Sequence, residues 1–216
     1  MAMSITSNGS SAGECRWVLK AAEVEAARTK FGLMEPRDLF YRAATELVSS
    51  ALEGRSGLTK TECLLVLLQT WNKNYYRFKG IKDQKDQHFK DIDGLLKSYE
   101  SWLGTLRVRG MDTFTEADEN KITEAFNAFE QVLGPVGTAK CLHLLAPRFF
   151  PLWDRAIARA YRCALRPLGQ NAAVYLRFMR STRCQVQKLC EETTSLADPL
   201  KAIDEYNYCK YTQQWI

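Results

Sequence analysis

The chain has 216 residues, of which 46% are hydrophobic and 25% are charged, and its formal net charge is +5. These are ordinary values for a globular protein. No run of about 18 or more apolar residues occurs, which excludes a membrane-spanning helix, and the N-terminus lacks the basic and apolar regions of a secretory signal. We expect residues 1–14 to form a disordered leader and residues 15–216 to form a single helical domain.

The positive charge is concentrated in one part of the sequence. Between Lys140 and Cys190 the chain carries ten basic residues and a single carboxylate, Asp154. The local charge of +9 leaves −4 for the rest of the chain, since the total is +5. Such an asymmetry predicts a polyanionic partner that binds one side of the molecule. The alternative is that these residues serve only solubility, which the scarcity of acidic residues in this region does not favour.

The hydrophobic pattern in the first half of the chain is helical. One helix is predicted to begin at Glu35-Pro36 and to end at Gly54. Thr59 and Glu62 have the spacing of a capping box, which predicts the start of a second helix. This second helix carries five consecutive apolar residues, so we expect it to be central and buried. A polar linker is predicted at 79–87.

The second half of the chain continues the same pattern. An amphipathic helix is predicted over 92–106, and Thr115 with Asp118 has the spacing of a cap for the next helix. Two further helices are predicted from about Gln170 and from Pro199. No alternating strand pattern occurs. The fold class is therefore predicted to be all-α.

The segment from Gly134 to Asp154 reads GPVGTAKCLHLLAPRFFPLWD and is the most informative stretch. It predicts that a long helix ends at Gly134, that a tight turn follows, and that a short second helix runs from about Thr138 to before Pro147. A loop then delivers Trp153 and Asp154 to the start of the next helix. Two helices joined by a glycine-bearing turn form a hairpin, and the backbone N–H groups at its second helix suit a phosphate.

The residues from Leu133 to Lys140, followed by an aspartate at a helix start, resemble the helix-hairpin-helix DNA glycosylases, the superfamily of endonuclease III and the 8-oxoguanine glycosylases. A closer resemblance is to uncharacterised bacterial proteins with the pattern K-x-L-H-x-x-x-P-x-x-F-P-x-x-D, which here spans Lys140 to Asp154. The resemblance implies about eight helices in two lobes, a helix-hairpin-helix at about 116–146, and DNA bound across the cleft. The family's lysine falls at Ala139, so Lys140 is one position late.

The resemblance implies that Asp154 is catalytic, and Lys140 is the candidate for a second catalytic residue although it lies one position after the family's lysine. Cleavage of an N-glycosidic bond builds positive charge on the sugar, which a nearby carboxylate stabilises. A lysine amine can attack the sugar carbon, giving a Schiff base and later strand cleavage. The alternatives are that Asp154 only caps the following helix and that Lys140 only contacts phosphate or solvent.

An extruded base needs an aromatic pocket, and five residues are candidates for its lining. They are Trp153, Trp71, Tyr76, Asn72 and His143. Trp153 is favoured because it adjoins Asp154, whereas Trp71 continues an apolar stripe and is compatible with an ordinary core position.

The residues expected to contact DNA lie on the hairpin and beyond it. After Asp154, arginines recur at spacings of four, three and four, which predicts an arginine stripe on one helix face: Arg155, Arg159, Arg162 and Arg166. The DNA-binding set is Val136, Gly137, Thr138, Arg148, Arg155, Arg159 and Arg162.

The seven cysteines show no CxxC spacing and only two histidines are present, so we expect reduced thiols, no metal and no cofactor. The favoured function is a DNA glycosylase acting as a cytoplasmic monomer, nucleoid-associated if bacterial, on DNA that is expected to be duplex. One alternative is a non-catalytic DNA- or RNA-binding module. Another is a helical protein-interaction domain with an acidic partner.

Overall fold

The computed structural model describes residues 19–78, 85–194 and 196–216, and within these ranges it contains helices and no strand. The all-α class is confirmed. The nine α-helices of the described ranges are α1 Ala21–Met34, α2 Leu39–Leu52, α3 Lys60–Trp71, α4 Lys73–Phe78, α5 Lys85–Arg107, α6 Glu116–Leu145, α7 Arg155–Ala160, α8 Ala172–Glu192 and α9 Pro199–Asn207. A 3₁₀ turn at Met111–Thr113 and a π-helical turn at Tyr208–Thr212 complete the set. The predicted leader lies outside the described residues, as does most of the predicted linker, and the division into two lobes stays a prediction.

The helix starts follow the capping signals of the sequence. Thr59 Oγ1 accepts a hydrogen bond from Glu62 N at 3.2 Å, and the Glu62 carboxylate accepts one from Thr59 N at 2.7 Å. Asp198 begins α9 in a similar way, because its side chain accepts from Lys201 N at 3.0 Å. Each cap satisfies an N–H group that has no partner inside its own helix.

Helix α1 was not among the predicted elements. Its buried residues are Val24, Ala27 and Phe31, whose spacings of three and four mark one face of a helix. This face packs mainly against α9. The sequence therefore carries the apolar spacing of a helix here. The pattern is short, however, and the segment lacks a Ser, Thr, Asp or Asn cap.

Helix α6 is the centre of the molecule and packs against α5, α8, α2 and α3. Its face carries the fully buried Phe126 and Phe129. Phe126 stacks on Tyr175 of α8 with ring centroids 4.7 Å apart. Trp153, from the loop before α7, packs against both rings of this pair. The core is therefore an aromatic cluster built across the α6–α8 interface.

Helical geometry within α6 is interrupted at one residue, Gly134, which has φ 68° and ψ 168°. The second segment begins at Pro135, not at about Thr138, so the predicted start was three residues late. Thr138 Oγ1 donates to Gly134 O at 2.8 Å. A Cβ at position 134 would lie 2.9 Å from the ring of Tyr75. Both the left-handed backbone and the close ring require glycine here.

Helix α7 is shorter than the sequence pattern predicts, because it ends at Ala160. Arg162 has a left-handed φ of 54°, so the chain turns away two residues later. Arg155 and Arg159 lie on α7, whereas Arg162 and Arg166 lie in the following loop. The prediction of a continuous arginine stripe on one helix is therefore wrong.

Candidate active site

Two neighbouring cavities share Trp71, Lys73 and Lys140. The first, which we call the basic cavity, has a volume of about 840 Å³ and lies between the α3–α4 junction and residues Gly134–Gly137. Its charged lining residues are Lys73, Lys140 and Arg155, and none of the described residues that line it is Asp or Glu. This cavity is suited to an anion.

Two of the three predicted hairpin residues, Val136 and Gly137, line the basic cavity, whereas Thr138 does not. Val136 is half-buried, while Gly137 and Thr138 are buried. A Cβ at position 137 would lie 2.6 Å from Asn72 Nδ2, and this amide is within 3.5 Å of Leu133 O. Asn72 thus lines the cavity and also joins the end of α3 to the break in α6.

The second cavity, which we call the acidic cavity, has a volume of about 630 Å³ and shares Trp71, Lys73 and Lys140 with the first. Five carboxyl groups line it: Glu35, Asp38, Asp154, Asp204 and Glu205. The sequence suggested that Asp154 is a solitary carboxylate among cations. This is wrong in three dimensions, because the α1–α2 connection and α9 bring four other carboxyl groups to the same cavity.

Lys140 lies at the boundary between the two cavities. Its Nζ donates to Trp71 O at 2.7 Å and lies 5.1 Å from the centroid of the Trp71 ring. Burial lowers the pKa of this amine to about 8, and the charge of Asp154 opposes that shift. Because the second segment of α6 starts at Pro135, Ala139 is fully buried and Lys140 is the residue that reaches the cavities.

Asp154 caps α7, as the structural alternative predicted. Its Oδ1 accepts from Ile157 N at 2.8 Å, and its Oδ2 accepts from Thr212 Oγ1 at 2.8 Å. The side chain is half-buried in the wall of the acidic cavity. Thr212, in the π-helical turn, was not foreseen, because its contact with Asp154 spans 58 residues.

The two predicted tryptophans have roles opposite to those expected, since Trp71 lines both cavities and Trp153 lies mainly in the core. Trp153 is 1% exposed and packs into the α6–α8 core, so it is mainly a core residue that closes one end of the acidic cavity. Trp71 is half-buried and lines both cavities. The rings of Phe40 and Tyr41 meet it edge-on, with centroids 5.6 and 6.5 Å away. These two residues of α2 were missed, although Phe40 widens the apolar face of its helix.

Two of the predicted pocket residues line neither cavity. Tyr76 pairs instead with His88, with 3.0 Å between the Tyr76 hydroxyl and Nε2. His143 is fully buried and lies behind Tyr41. Its Nδ1 is 2.7 Å from Phe150 O, which can only accept, so Nδ1 carries the proton and Nε2 accepts from the Tyr41 hydroxyl at 2.9 Å. Burial lowers the pKa of His143 to about 4, which keeps the ring neutral.

Six arginines of the basic region are exposed and form no ion pair or side-chain hydrogen bond with any residue that the structure describes. They are Arg148, Arg155, Arg159, Arg162, Arg166 and Arg177. Two others are held by the protein: Arg180 binds Glu119 at 2.6 and 2.7 Å, and Arg183 donates to Phe114 O at 2.8 Å. The six unpaired guanidinium groups are therefore available to a polyanion.

Cys63, Cys141, Cys163, Cys190 and Cys209 are free thiols. Cys184 is disulfide-bonded, so the prediction of reduced thiols does not hold for this residue. Among the described residues no group of three or more His, Cys, Asp or Glu could hold a metal ion. None of the helices described is both long and apolar enough to span a bilayer.

Comparisons of the chain with protein-family models, with curated proteins and with solved structures found no match.

Proposed function

We propose that this protein removes a base from DNA by cleaving its N-glycosidic bond, with Lys140 as the nucleophile and Asp154 as the stabilising carboxylate. The observation that carries the proposal is the position of Lys140. A lysine with a pKa of about 8 lines one cavity together with Asp154 and a second cavity with a cationic lining.

The lowered pKa gives the amine a useful neutral fraction. With a pKa of about 8, about a quarter of the Lys140 amine is neutral at pH 7.5, compared with roughly one in a thousand for an ordinary lysine. Only the neutral amine has the lone pair that attacks carbon. Burial against Trp71 thus supplies the activation that a nucleophilic lysine needs.

The reaction then follows from the two groups. The Nζ lone pair attacks C1′ of the deoxyribose, the bond from C1′ to the base breaks, and the base leaves with the electron pair. Nζ loses one proton to solvent. The C1′–O4′ bond then breaks as O4′ takes up a proton, and a Schiff base forms between Nζ and C1′. Water hydrolyses this adduct and returns the free amine and an abasic site. Asp154, whose oxygens keep further lone pairs beside their two hydrogen bonds, stabilises the positive charge on the sugar.

The basic cavity and the exposed arginines provide the surface for the DNA backbone. Lys73 and Arg155 line the basic cavity beside the N-terminus of the second segment of α6, where the helix dipole favours an anion. A phosphate bound there would lie next to Lys140. The strand would then present its sugar at the boundary between the cavities and its base to the acidic cavity.

The proposal is tested with oligonucleotides that contain an abasic site or a damaged base. Borohydride reduces a Schiff base to a stable amine, so wild-type protein should become covalently linked to abasic DNA. Lys140→Met should lose the linkage, and Lys121→Met, which alters a surface lysine of the same helix paired with Glu124, should retain it. Retention of the linkage in Lys140→Met would rule out this lysine as the nucleophile.

A second candidate is a non-catalytic nucleic-acid-binding module, which the hydrogen bonding of Asp154 favours. Both carboxylate oxygens already serve the fold, by capping α7 and by holding Thr212. In that case Asp154→Asn would lower stability without removing any activity, while Arg159→Ala would still weaken DNA binding. Loss of base release in Asp154→Asn, with DNA affinity retained, favours the enzyme.

A further inference from the structure

Lys140 and the basic cavity together offer two kinds of contact to a small molecule. The amine of Lys140 lies at the boundary of the two cavities, and Lys73 and Arg155 add positive charge to the lining of the basic cavity. Lys73 and Arg155 are both exposed, and neither forms an ion pair with any residue that the structure describes. A ligand that carries both a phosphate and a group that reacts with an amine matches this arrangement.

The two cavities have the size of sites for small molecules. The basic cavity has a volume of about 840 Å³ and the acidic cavity one of about 630 Å³. Both values lie within the range of roughly 300–1,000 Å³ that is usual for ligand pockets. The backbone of DNA runs over a surface, whereas cavities of this size can surround a separate small ligand.

An aromatic surface lies beside the reactive amine. Lys140 Nζ is 5.1 Å from the centroid of the Trp71 ring, so a group attached to Nζ lies close to this ring. The ring of Phe40 meets Trp71 edge-on, with 5.6 Å between the centroids, and Phe40 is 39% exposed in the lining of the acidic cavity. Accessible aromatic rings favour a ligand that is itself a flat ring.

The charge of a Schiff base also suits this position. The charge of Asp154 favours the protonated form of Lys140, because it raises the pKa of the amine and so opposes the effect of burial. A protonated Schiff base has its positive charge on the same nitrogen atom. Asp154 therefore stabilises the adduct in the same way as it stabilises the free ammonium group.

The reaction of the amine with an aldehyde needs no further reactant. The lone pair of the neutral Nζ attacks the carbonyl carbon, and the carbonyl oxygen takes up a proton. This oxygen then takes up a second proton and leaves as water, while Nζ gives up the two protons of the amine. A carbon–nitrogen double bond replaces the carbon–oxygen double bond, and nothing is oxidised or reduced. Water reverses the reaction and returns the amine and the aldehyde.

We propose that Lys140 reversibly captures a free aromatic aldehyde that carries a phosphate, with the phosphate in the basic cavity and the ring against Trp71. The aldehyde then occupies the amine that the proposed function uses on DNA, so the two ligands exclude each other. The inference shares Lys140 with the proposed function, but it does not require that the protein acts on DNA.

Three probes separate the contributions of the phosphate and of the ring. Pyridoxal 5′-phosphate carries aldehyde, ring and phosphate, 5-deoxypyridoxal lacks the phosphate, and glyceraldehyde 3-phosphate lacks the ring. Borohydride reduction followed by mass spectrometry of peptides locates and quantifies the linkage. We expect the linkage on Lys140, at concentrations of pyridoxal 5′-phosphate about tenfold lower than those needed for either other probe. Linkage spread over several lysines, or equal linkage by either of the other probes, would overturn the inference.

Variants of the cavity test the position of the phosphate. Arg155→Ala should weaken the binding of pyridoxal 5′-phosphate about threefold and leave that of 5-deoxypyridoxal unchanged. Arg148→Ala, at an exposed arginine that lines neither cavity, is the matched control and should change neither. An equal effect of Arg155→Ala on both probes would overturn the assignment of the phosphate to the basic cavity. Lys140→Met should lose the linkage, and the mapping of peptides from wild-type protein supplies the same answer if this variant does not fold.

Linkage to abasic DNA separates this inference from the proposed function. If pyridoxal 5′-phosphate is linked to Lys140 and also prevents the borohydride linkage to abasic DNA, both proposals are supported. Linkage to pyridoxal 5′-phosphate without any linkage to abasic DNA or base release overturns the glycosylase proposal and supports the capture of aldehydes. Linkage to abasic DNA through Lys140, without linkage to pyridoxal 5′-phosphate, overturns the inference and leaves the glycosylase proposal standing.

Discussion

The two cavities share three residues and have opposite character. The basic cavity is lined by three cations and no described carboxylate, whereas the acidic cavity adds five carboxyl groups to two of those cations and Lys201. The first is built mainly from two short stretches of sequence, residues 70–75 and 133–140. The second is assembled from α1, α2, α7 and α9. A local pattern can therefore mark an anion-binding surface, while the environment of a reactive carboxylate depends on distant segments.

The largest effect is expected from changing the break in α6, which lines the basic cavity. Gly134→Ala places a Cβ on a left-handed residue, 2.9 Å from the Tyr75 ring. The strain and the displaced ring should lower the free energy of unfolding by roughly 2–4 kcal/mol. Chemical denaturation provides the measurement. Gly94→Ala, in α5 with nothing within 4 Å of the added Cβ, should instead be neutral or stabilise by up to about 1 kcal/mol.

The next largest effect is expected in the pH dependence of base release, because Lys140 must be neutral to attack. With a pKa of about 8, base release should rise roughly 50-fold between about pH 6 and pH 8, as the neutral amine increases. A profile without this rise would contradict the role of Lys140.

The same pKa predicts the sign of a stability change. Lys140 holds its proton more weakly in the folded chain than in the unfolded chain, since its pKa falls from 10.5 to about 8. The unfolded chain therefore binds more protons between these values, so stability rises with pH there. The cost of burying the charge is present below about pH 8 and is relieved above it. Lys140→Met should abolish this pH dependence in denaturation measured across the range.

The contribution of the exposed arginines is expected to be smaller and to depend on salt. Arg155→Ala with Arg159→Ala removes two guanidinium groups that have no ion pair among the described residues. If both contact phosphate, the slope of log affinity against log salt for duplex DNA should fall by about 1.8 in magnitude, or about 0.9 for each contact. Arg55→Ala, paired with Glu53 at 2.7 Å, is the control and should leave the slope unchanged. An unchanged slope in the double variant would show that DNA does not contact these two arginines.

The smallest effect is expected at the hydrogen bond that holds Asp154 in the wall of the acidic cavity. Thr212→Val removes the hydrogen bond from Oγ1 to Asp154 Oδ2, 2.8 Å long, and keeps the shape of the side chain. We expect a loss of about 1 kcal/mol in the free energy of unfolding and a severalfold fall in base release, because Asp154 is held less firmly. Thr29→Val removes an exposed hydrogen bond from Oγ1 to Glu25 O. It should lower the free energy of unfolding by no more than Thr212→Val does, and it should leave base release unchanged.

The sequence alone was sufficient for features that depend on neighbours along the chain. The helical class follows from apolar residues at spacings of three and four. The caps at Thr59, Asp154 and Asp198 follow from the side-chain oxygen that each places at a helix start. The interruption at Gly134 follows from a glycine and a proline in succession. Each of these features is decided within about one turn of helix, so the local pattern is enough.

The tertiary structure decided the properties that depend on burial and on distant charges. Whether Trp71 or Trp153 faces a cavity depends on which side of each residue the core occupies. Whether residue 139 or 140 reaches the site depends on where the second segment of α6 begins. The lowered pKa of Lys140 arises because folding removes its amine from water, and the carboxyl groups near Asp154 come from segments more than 40 residues away in sequence. Electrostatic interactions act through space, so spacing along the chain does not reveal them.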